Sequence, residues 1–403
     1  MNQELLHRYN PFWDMASYPL EGVIQRAAAH ELMKKHLHSR WIIFITGLRR
    51  VGKTTLFKLL IQYLIEQESV DPRHICYLSL DDYQLSHYSI LELVEEYRKI
   101  HKLKFVEKIF LFLDEIAYKK DFEIQCKNIY DNQNVKIFAS SSSSSILKSK
   151  KIFLTGRNVV FELLPLDFRE YLSFKNIIIA KADAHLVDSY FEDYLQTGGI
   201  PEYVMRNDIE YIKELIDDII YKDIAGVYGI RNPHLLKEYF LLLMERAGKV
   251  ASINKIARIL TISPDTAKRF FDMFCNVYLI YPVSRWGKTN VQLRSAKKIY
   301  AADLGIRTYS TGFRDKGSLF ENYVYHKIKH MNLCYIYENG IEIDFIVDKK
   351  TIIEVKYQNE MAGKQKLYFE QMPTANKIVL HGIQELEAFL EKNKDVAQAK
   401  TER

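Results

Sequence analysis

The chain has 403 residues, 48% of them hydrophobic and 27% charged, a composition that excludes a disordered or low-complexity protein over most of its length. At a soft prior of about 150 residues per domain, this length suggests two or three folding units. Lys and Arg total 57 against 51 Asp and Glu, and the resulting +6 is too mild to require a nucleic-acid partner unless the basic residues cluster.

The apolar runs, such as Ile109 to Leu113 and Phe240 to Met244, are far shorter than the roughly 18 residues needed to cross a bilayer. The N-terminus MNQELLHRYN has no apolar signal core, so neither a membrane partner nor secretion is expected. Cys76, Cys126, Cys275 and Cys334 lie far apart with no CxxC spacing, which argues against a zinc ribbon or a disulfide framework and fits a reducing cytoplasm.

Residues 1–20, with Pro11, Trp13 and Pro19, read as an irregular N-terminal arm before a helix from about Glu21 to Lys35. Trp41 to Thr46 is a near-continuous apolar strand ending at Gly47, and Lys53 to Gln67 follows at helical spacing. Buried strands recur at Ile75 to Leu80, Lys108 to Leu113 and Val135 to Ala139, with a helix through Leu91 to Lys99. Strands apolar on both faces that alternate with amphipathic helices imply a parallel sheet covered on both sides. Asp183 to Glu245 reads as mostly helical. Two short helices, Ile253 to Leu260 and Pro264 to Val277, then flank a turn in which Ser263 can cap. After Ile299 the chain returns to mixed α/β, and the six serines Ser140 to Ser145 are its single low-complexity run.

Gly47-Leu-Arg-Arg-Val-Gly52-Lys53-Thr54 fits GxxxxGK[ST] between a strand and a helix. Glycines let the backbone curl so that N–H groups, with the positive helix N-terminus, hold a phosphate. The candidate nucleotide contacts are Gly47, Arg50, Val51, Gly52, Lys53, Thr54 and Thr55, with Thr54 also a ligand of Mg²⁺. Phe110-Leu-Phe-Leu-Asp114-Glu115 supplies the second half: Asp114 is aimed at the metal and Glu115 at the attacking water. One strand later, Ser140 or Ser141 lies where a hydroxyl can touch the γ-phosphate, although the serine run reads equally as a mobile loop.

GLRRVGKTT, FLDEI, LTGRNVVFELLPLDFREYL and TGGIPEYV together resemble a family of prokaryotic AAA+-type ATPases with a C-terminal domain of unknown function, over roughly residues 20 to 385. The resemblance implies ATP binding and Mg²⁺-dependent hydrolysis. It also implies an arginine completing the site from the same or a neighbouring subunit, for which Arg157 is the matching residue. Pairing of Arg157 with a nearby acid is the plainer alternative.

The helix pair and the β-like run Leu279 to Val283 read as a winged helix, and Arg285, Lys288, Arg294, Lys297 and Lys298, with no acid among them, suit phosphate backbones. A solvated face, or a lid between proteins, explains them as well. Further on, Glu342 and Asp344 share one strand face, and Glu354 and Lys356 share a face of the next. If the strands pair, Asp344 and Glu354 can hold one divalent cation, Glu321 can add a ligand from a helix, and Lys356 can position a water. This pattern resembles the PD-(D/E)XK restriction-endonuclease-like fold.

The expected fold class is therefore α/β: a P-loop NTPase with a parallel sheet, then a helical and winged-helix region, then a small mixed α/β endonuclease-like domain. The expected division is an arm at 1–20, an ATPase domain with a helical subregion at 21–230, a winged helix at 231–295, the nuclease-like domain at 296–392 and a tail at 393–403. The expected function is ATP hydrolysis coupled to binding or processing of double-stranded DNA, with catalytic roles for Glu115, Arg157, Asp344, Glu354 and Lys356. The alternative is a slow nucleotide-dependent switch or scaffold whose nuclease-like domain is non-catalytic and binds a protein partner. A homo-oligomer is implied if Arg157 acts on a neighbouring subunit.

Overall fold

In the computed structural model, which describes residues 3–15, 17–144, 156–374 and 376–393, contacts divide the chain into the compact units Met1–Leu164 and Pro165–Arg403. Ser145, the Leu154-Thr155 start of the LTGR segment and the tail from 394 lie outside the described residues.

The first unit is a five-stranded parallel sheet of β1 (Ile42–Thr46), β2 (Ile75–Ser79), β3 (Ile109–Asp114), β4 (Val135–Ser141) and β5 (Asn158–Glu162), in the order β2-β3-β4-β1-β5. The inner strands are buried along almost their whole length, as the unbroken apolar runs require. Helices Lys53–Glu66, Ile90–His101 and Phe122–Asn132 make the crossovers, and a Ser89/Glu92 capping box starts the second.

Residues expected as an irregular arm instead form a helix, Gln3–Tyr9, and a 3₁₀ turn, Pro11–Asp14. The reason is the exposed edge of β2. Buried Asn10 accepts from the Tyr77 N–H at 2.6 Å and donates to the Tyr77 carbonyl at 3.0 Å, as a neighbouring strand would. Trp13 donates its indole N–H to the Ile75 carbonyl at 2.7 Å and stacks on Tyr97.

The second unit opens with helices Phe168–Phe174, Val187–Thr197, Pro201–Arg206 and Ile209–Asp217, the last running into a π-type turn at Asp218–Gly226. Helix Pro233–Glu245 leads to a three-stranded antiparallel sheet of β6 (Lys249–Ala251), β7 (Ile280–Val283) and β8 (Lys297–Ala301), ordered β6-β8-β7. Between β6 and β7 lie Ile253–Ile259 and Pro264–Asn276, capped by Ser252 and Ser263. Four further strands, β9 (Leu333–Glu338), β10 (Ile341–Val347), β11 (Thr351–Val355) and β12 (Asn376–Leu380), form a mixed sheet ordered β12-β11-β10-β9. Helix Lys316–Ile328 precedes this sheet and Gly363–Gln371 crosses between β11 and β12. Ile336, Ile343, Ile346, Ile352, Met361 and Phe369 form its core.

Two expected boundaries fall elsewhere. The chain divides at 164/165 rather than near 230, and residue 296 is followed at once by β8, which completes the sheet of β6 and β7. Hydrogen bonding explains the first difference. Gly199 accepts from the Leu166 N–H at 2.7 Å and donates to the Asp303 carboxylate at 2.6 Å, and Tyr323 receives the Phe168 N–H. The helices after residue 165 are thereby wired into the C-terminal unit. A Cβ on Gly199 would collide with the backbone of Leu166. Gly199→Ala is therefore expected to lower unfolding free energy by about 3 kcal/mol, in the range of severe overpacking; urea denaturation followed by far-ultraviolet circular dichroism is the check.

Candidate functional site

The loop between β1 and the Lys53–Glu66 helix curls because three of its residues take positive φ: Gly47 at 143°, Arg50 at 64° and Gly52 at 100°. Gly47 is obligatory, since a Cβ there would collide with the Leu163 carbonyl oxygen. The helix starts at Lys53, Val51 is buried beneath the loop, and Thr54 and Thr55 fill its first turn. Lys53, 5% exposed, donates to the Gly47 and Leu48 carbonyls, both at 3.1 Å, and its ammonium lies 3.7 Å from Glu115. Arg26, which sequence reasoning passed over, donates to the Val51 carbonyl at 3.1 Å and to that of Leu164 at 2.7 Å, bracing the loop.

Asp114 ends β3 and gathers the site. Its Oδ2 accepts from the Thr54 hydroxyl at 2.6 Å and from Tyr77 at 2.9 Å, and its Oδ1 from Ser140. Ser140 also receives the Glu115 N–H at 3.0 Å, so it ties the two acids together. Glu115, with φ at 50°, turns its carboxylate to Ser142, which donates both its N–H and its hydroxyl at 2.9 Å. Ser141 pairs in register with Thr46 of β1, but its hydroxyl donates to the Ser143 carbonyl and receives the Ser143 N–H. Of the serine run, Ser142 is the residue that orients Glu115. One hydroxyl and one carboxylate at 2.6 Å, beside the curled loop and the helix N-terminus it leads into, form a donor set that fits Mg²⁺ bound to a nucleotide.

The structure does not bring Arg157 to this loop. Asn158 pairs with Ile42 at the start of β1, whereas the loop leaves its end, about 3.3 Å per residue away along a five-residue strand. Arg157 donates to Asp131 at 3.2 Å and lies over the Tyr130 ring. A same-chain role at the phosphates is thereby corrected: Arg157 stands at the opposite, N-terminal end of the neighbouring strand, in the plainer ion pair.

In the second unit the predicted acids do converge, from the Lys316–Ile328 helix, β10 and β11. A register shift between Ile343 and Ile346 turns Asp344, whose Oδ2 receives the Val355 N–H at 2.9 Å. Glu354 receives the Asp344 N–H at 3.2 Å, Gln365 at 2.7 Å and the Lys356 ammonium at 2.7 Å. The centre of the cluster is held by Lys298 of β8, at 2.7 Å from Glu321, 2.6 Å from Glu342 and 2.8 Å from Asp344. Tyr300, two residues along the same strand face, donates to Glu321 at 2.6 Å. The metal-binding assignment of Glu321, Asp344 and Glu354 does not fit, because their inward oxygens already face ammonium and N–H donors. Among the described residues no group of three or more His, Cys, Asp or Glu is arranged to hold a metal ion.

Three members of the basic stretch are engaged within the fold, whereas Lys288 and Arg294 are exposed. Lys298 is 1% exposed and serves the cluster, Lys297 donates to Ser284 at 3.1 Å and to the Gln292 carbonyl, and Arg285 lies over the Tyr337 ring. The signal for Lys298 and Tyr300 was present in Lys-Ile-Tyr-Ala, an alternating strand with its polar atoms on one side.

Residues 39–172 match the family described as AAA domain, and residues 188–317 match one described as a domain of unknown function (DUF8612). The N-terminal unit carries an AAA-type P-loop ATPase fold. An uncharacterized protein of Methanocaldococcus jannaschii is 28% identical over 346 residues, covering 80% of this chain and 76% of the relative. An uncharacterized protein of Haemophilus influenzae is 27% identical over 319 residues, covering 75% of this chain and 76% of the relative. Among solved structures, the Aeropyrum pernix ORC2 protein is similar at a TM-score of 0.38 and 11% identity, over 77% of this chain and 96% of that one. Among the described residues no helix is long and apolar enough to cross a membrane.

Electrostatics in the carboxylate cluster give a pH dependence. Burial, then the charge of Asp344, pushes the Glu354 carboxyl up to about 8 against the pull of Lys356. Burial and Asp344 likewise raise Glu321 to about 7 against Lys298 and Tyr300. Both folded values lie above the unfolded ones, so the folded state binds protons more tightly. The associated stability is complete below the ordinary carboxylate range and is lost as pH rises through about 7 and 8. The melting temperature is expected to fall between roughly pH 4.5 and 8, from the ordinary carboxylate value to the raised ones, with a shallower slope in Glu354→Gln; equal slopes in scanning calorimetry would remove Glu354 as a source.

Proposed function

We propose that the chain is a Mg²⁺-dependent ATPase. The observation that carries this is the single constellation of Lys53, Thr54, Asp114 and Glu115 around a curled loop, with Thr54 and Asp114 2.6 Å apart. Backbone N–H groups of the loop and the Lys53 ammonium bind and orient the β- and γ-phosphates. Mg²⁺, held by Thr54 and Asp114, would neutralise charge on the phosphate oxygens. Glu115, fixed by Ser142, orients a water for in-line attack on the γ-phosphorus; the bond to the bridging oxygen breaks, leaving ADP and inorganic phosphate. Ser140 acts through Asp114 and Glu115, and Ser141 through the turn that follows β4. If Arg157 meets a nucleotide, it meets one bound by a neighbouring subunit of a homo-oligomer.

Glu115→Gln is expected to slow turnover by about 10²–10⁴-fold while leaving ATP affinity near native, as loss of a water-positioning base requires. Lys53→Ala is expected to lose both. Phosphate release and binding of a fluorescent ATP analogue distinguish the two, and unchanged turnover in Lys53→Ala sinks the assignment.

A second reading gives the C-terminal unit a winged-helix contact with double-stranded DNA, with the four-stranded sheet in the restriction-endonuclease-like arrangement. Lys268 and Arg269 favour it: both are exposed on the second helix of the capped pair, with Lys255 and Arg258 on the first. Replacing Lys268 and Arg269 by Glu is expected to weaken duplex binding and to flatten the slope of log K against log salt by about 0.9 per lost phosphate contact. Fluorescence anisotropy across a salt series is the measurement; an unchanged slope would favour the protein-binding switch or scaffold instead.

A further inference from the structure

In the second unit, carboxylates from a helix and a strand converge as they do around a divalent ion, yet the point they share is taken by a side chain. We propose that the Lys298 ammonium is the resident cation of this cluster, that the native chain binds no divalent metal there, and that removing the ammonium creates a Mg²⁺- or Mn²⁺-binding site.

The geometry is that of a filled site. An ammonium has three hydrogens, and the Lys298 ammonium faces three acceptors from two elements, the Lys316–Ile328 helix and β10: Glu321 Oε1, Glu342 Oε1 and Asp344 Oδ1, between 2.6 and 2.8 Å. Other donors hold the second oxygen of Asp344 and both oxygens of Glu354. Asp344 Oδ2 takes the Val355 N–H, and Glu354 takes the Asp344 N–H, Gln365 and Lys356. Tyr300 donates to the same Glu321 oxygen as Lys298, and its ring stacks on Tyr325 at 4.3 Å, which fixes the carboxylate from the side.

Lysine and metal exclude one another. Mg²⁺ requires oxygen ligands at about 2.0–2.1 Å in an octahedron, and three oxygens gathered around a nitrogen at hydrogen-bonding distance cannot accept it without expelling that nitrogen. Lys298 cannot swing into water cheaply either. It belongs to the middle strand of the β6-β8-β7 sheet, and Ala301, which ends that strand, is clamped by Asn322 through both backbone groups at 2.8 and 2.9 Å. The cation is thus covalently part of the fold and cannot be chelated away.

The test uses the full chain without nucleotide, titrated with Mn²⁺ and read by the electron paramagnetic resonance of the free ion. Native protein and Asp344→Asn are expected to bind Mn²⁺ alike, since the cluster contributes no site in either. Lys298→Met, close in shape and without charge, is expected to gain a Mn²⁺ equivalent that Lys298→Met combined with Asp344→Asn loses again. Loss of an equivalent from the native chain on Asp344→Asn overturns the proposal, as does a folded Lys298→Met that gains none. Circular dichroism establishes folding. Where Lys298→Met does not fold, the comparison of native chain with Asp344→Asn, or with Glu342→Gln at the more exposed carboxylate, decides. Because nucleotide is absent throughout, the result stands apart from whether Lys53 and Glu115 support hydrolysis.

Discussion

A lysine ammonium taken out of water must find acceptors for its hydrogens, because an unpaired buried charge costs several kcal/mol or more. Two buried lysines meet this demand in different ways. Lys53 leans on the Gly47 and Leu48 carbonyls, weak acceptors that a nucleotide phosphate can outcompete, with one carboxylate, Glu115, farther off at 3.7 Å, so its pairing is provisional. Lys298 is locked by three carboxylates, and no neutral ligand offers a better set. The same chemical group makes one site receptive and the other closed, through the charge of what surrounds it.

The α/β order of the N-terminal unit was legible because each inner strand is a continuous apolar run and each crossover helix has its own period. Loop, Thr54 and the Asp114-Glu115 pair were legible for a related reason: the chemistry is packed into two short segments at strand ends. What could not be read was the set of supports that arrive from far along the chain. Arg26 reaches the loop from before β1, Tyr77 reaches Asp114 from β2, and Ser142 reaches Glu115 across a strand. None has a spacing that announces it.

The C-terminal unit shows the opposite difficulty. Strand alternation puts Asp344, Glu354 and Lys356 side by side and a helix adds Glu321, yet alternation among these residues says nothing of what else pairs with them. A counter-ion from β8 lay in a segment read for its net charge rather than for its alternation. Charge runs are informative about surfaces only after buried members have been subtracted. Arg157 makes a similar point about polarity within a sheet. Its motif was adjacent to the right strand, but at the end where β5 begins, and parallel pairing puts that end far from the loop.

The covering of β2 by Asn10 and Trp13 bears on how the chain is made. These residues leave the ribosome well before Ile75 and Tyr77, and before the Tyr97 ring against which Trp13 stacks. For that interval the segment has no partner, and β2, once formed, has a bare row of backbone groups until the segment returns to it. Closure of the sheet edge is therefore a late, long-range event that depends on residues synthesised well before the strand they cover, and the nascent chain is most open to pairing with another copy while it waits.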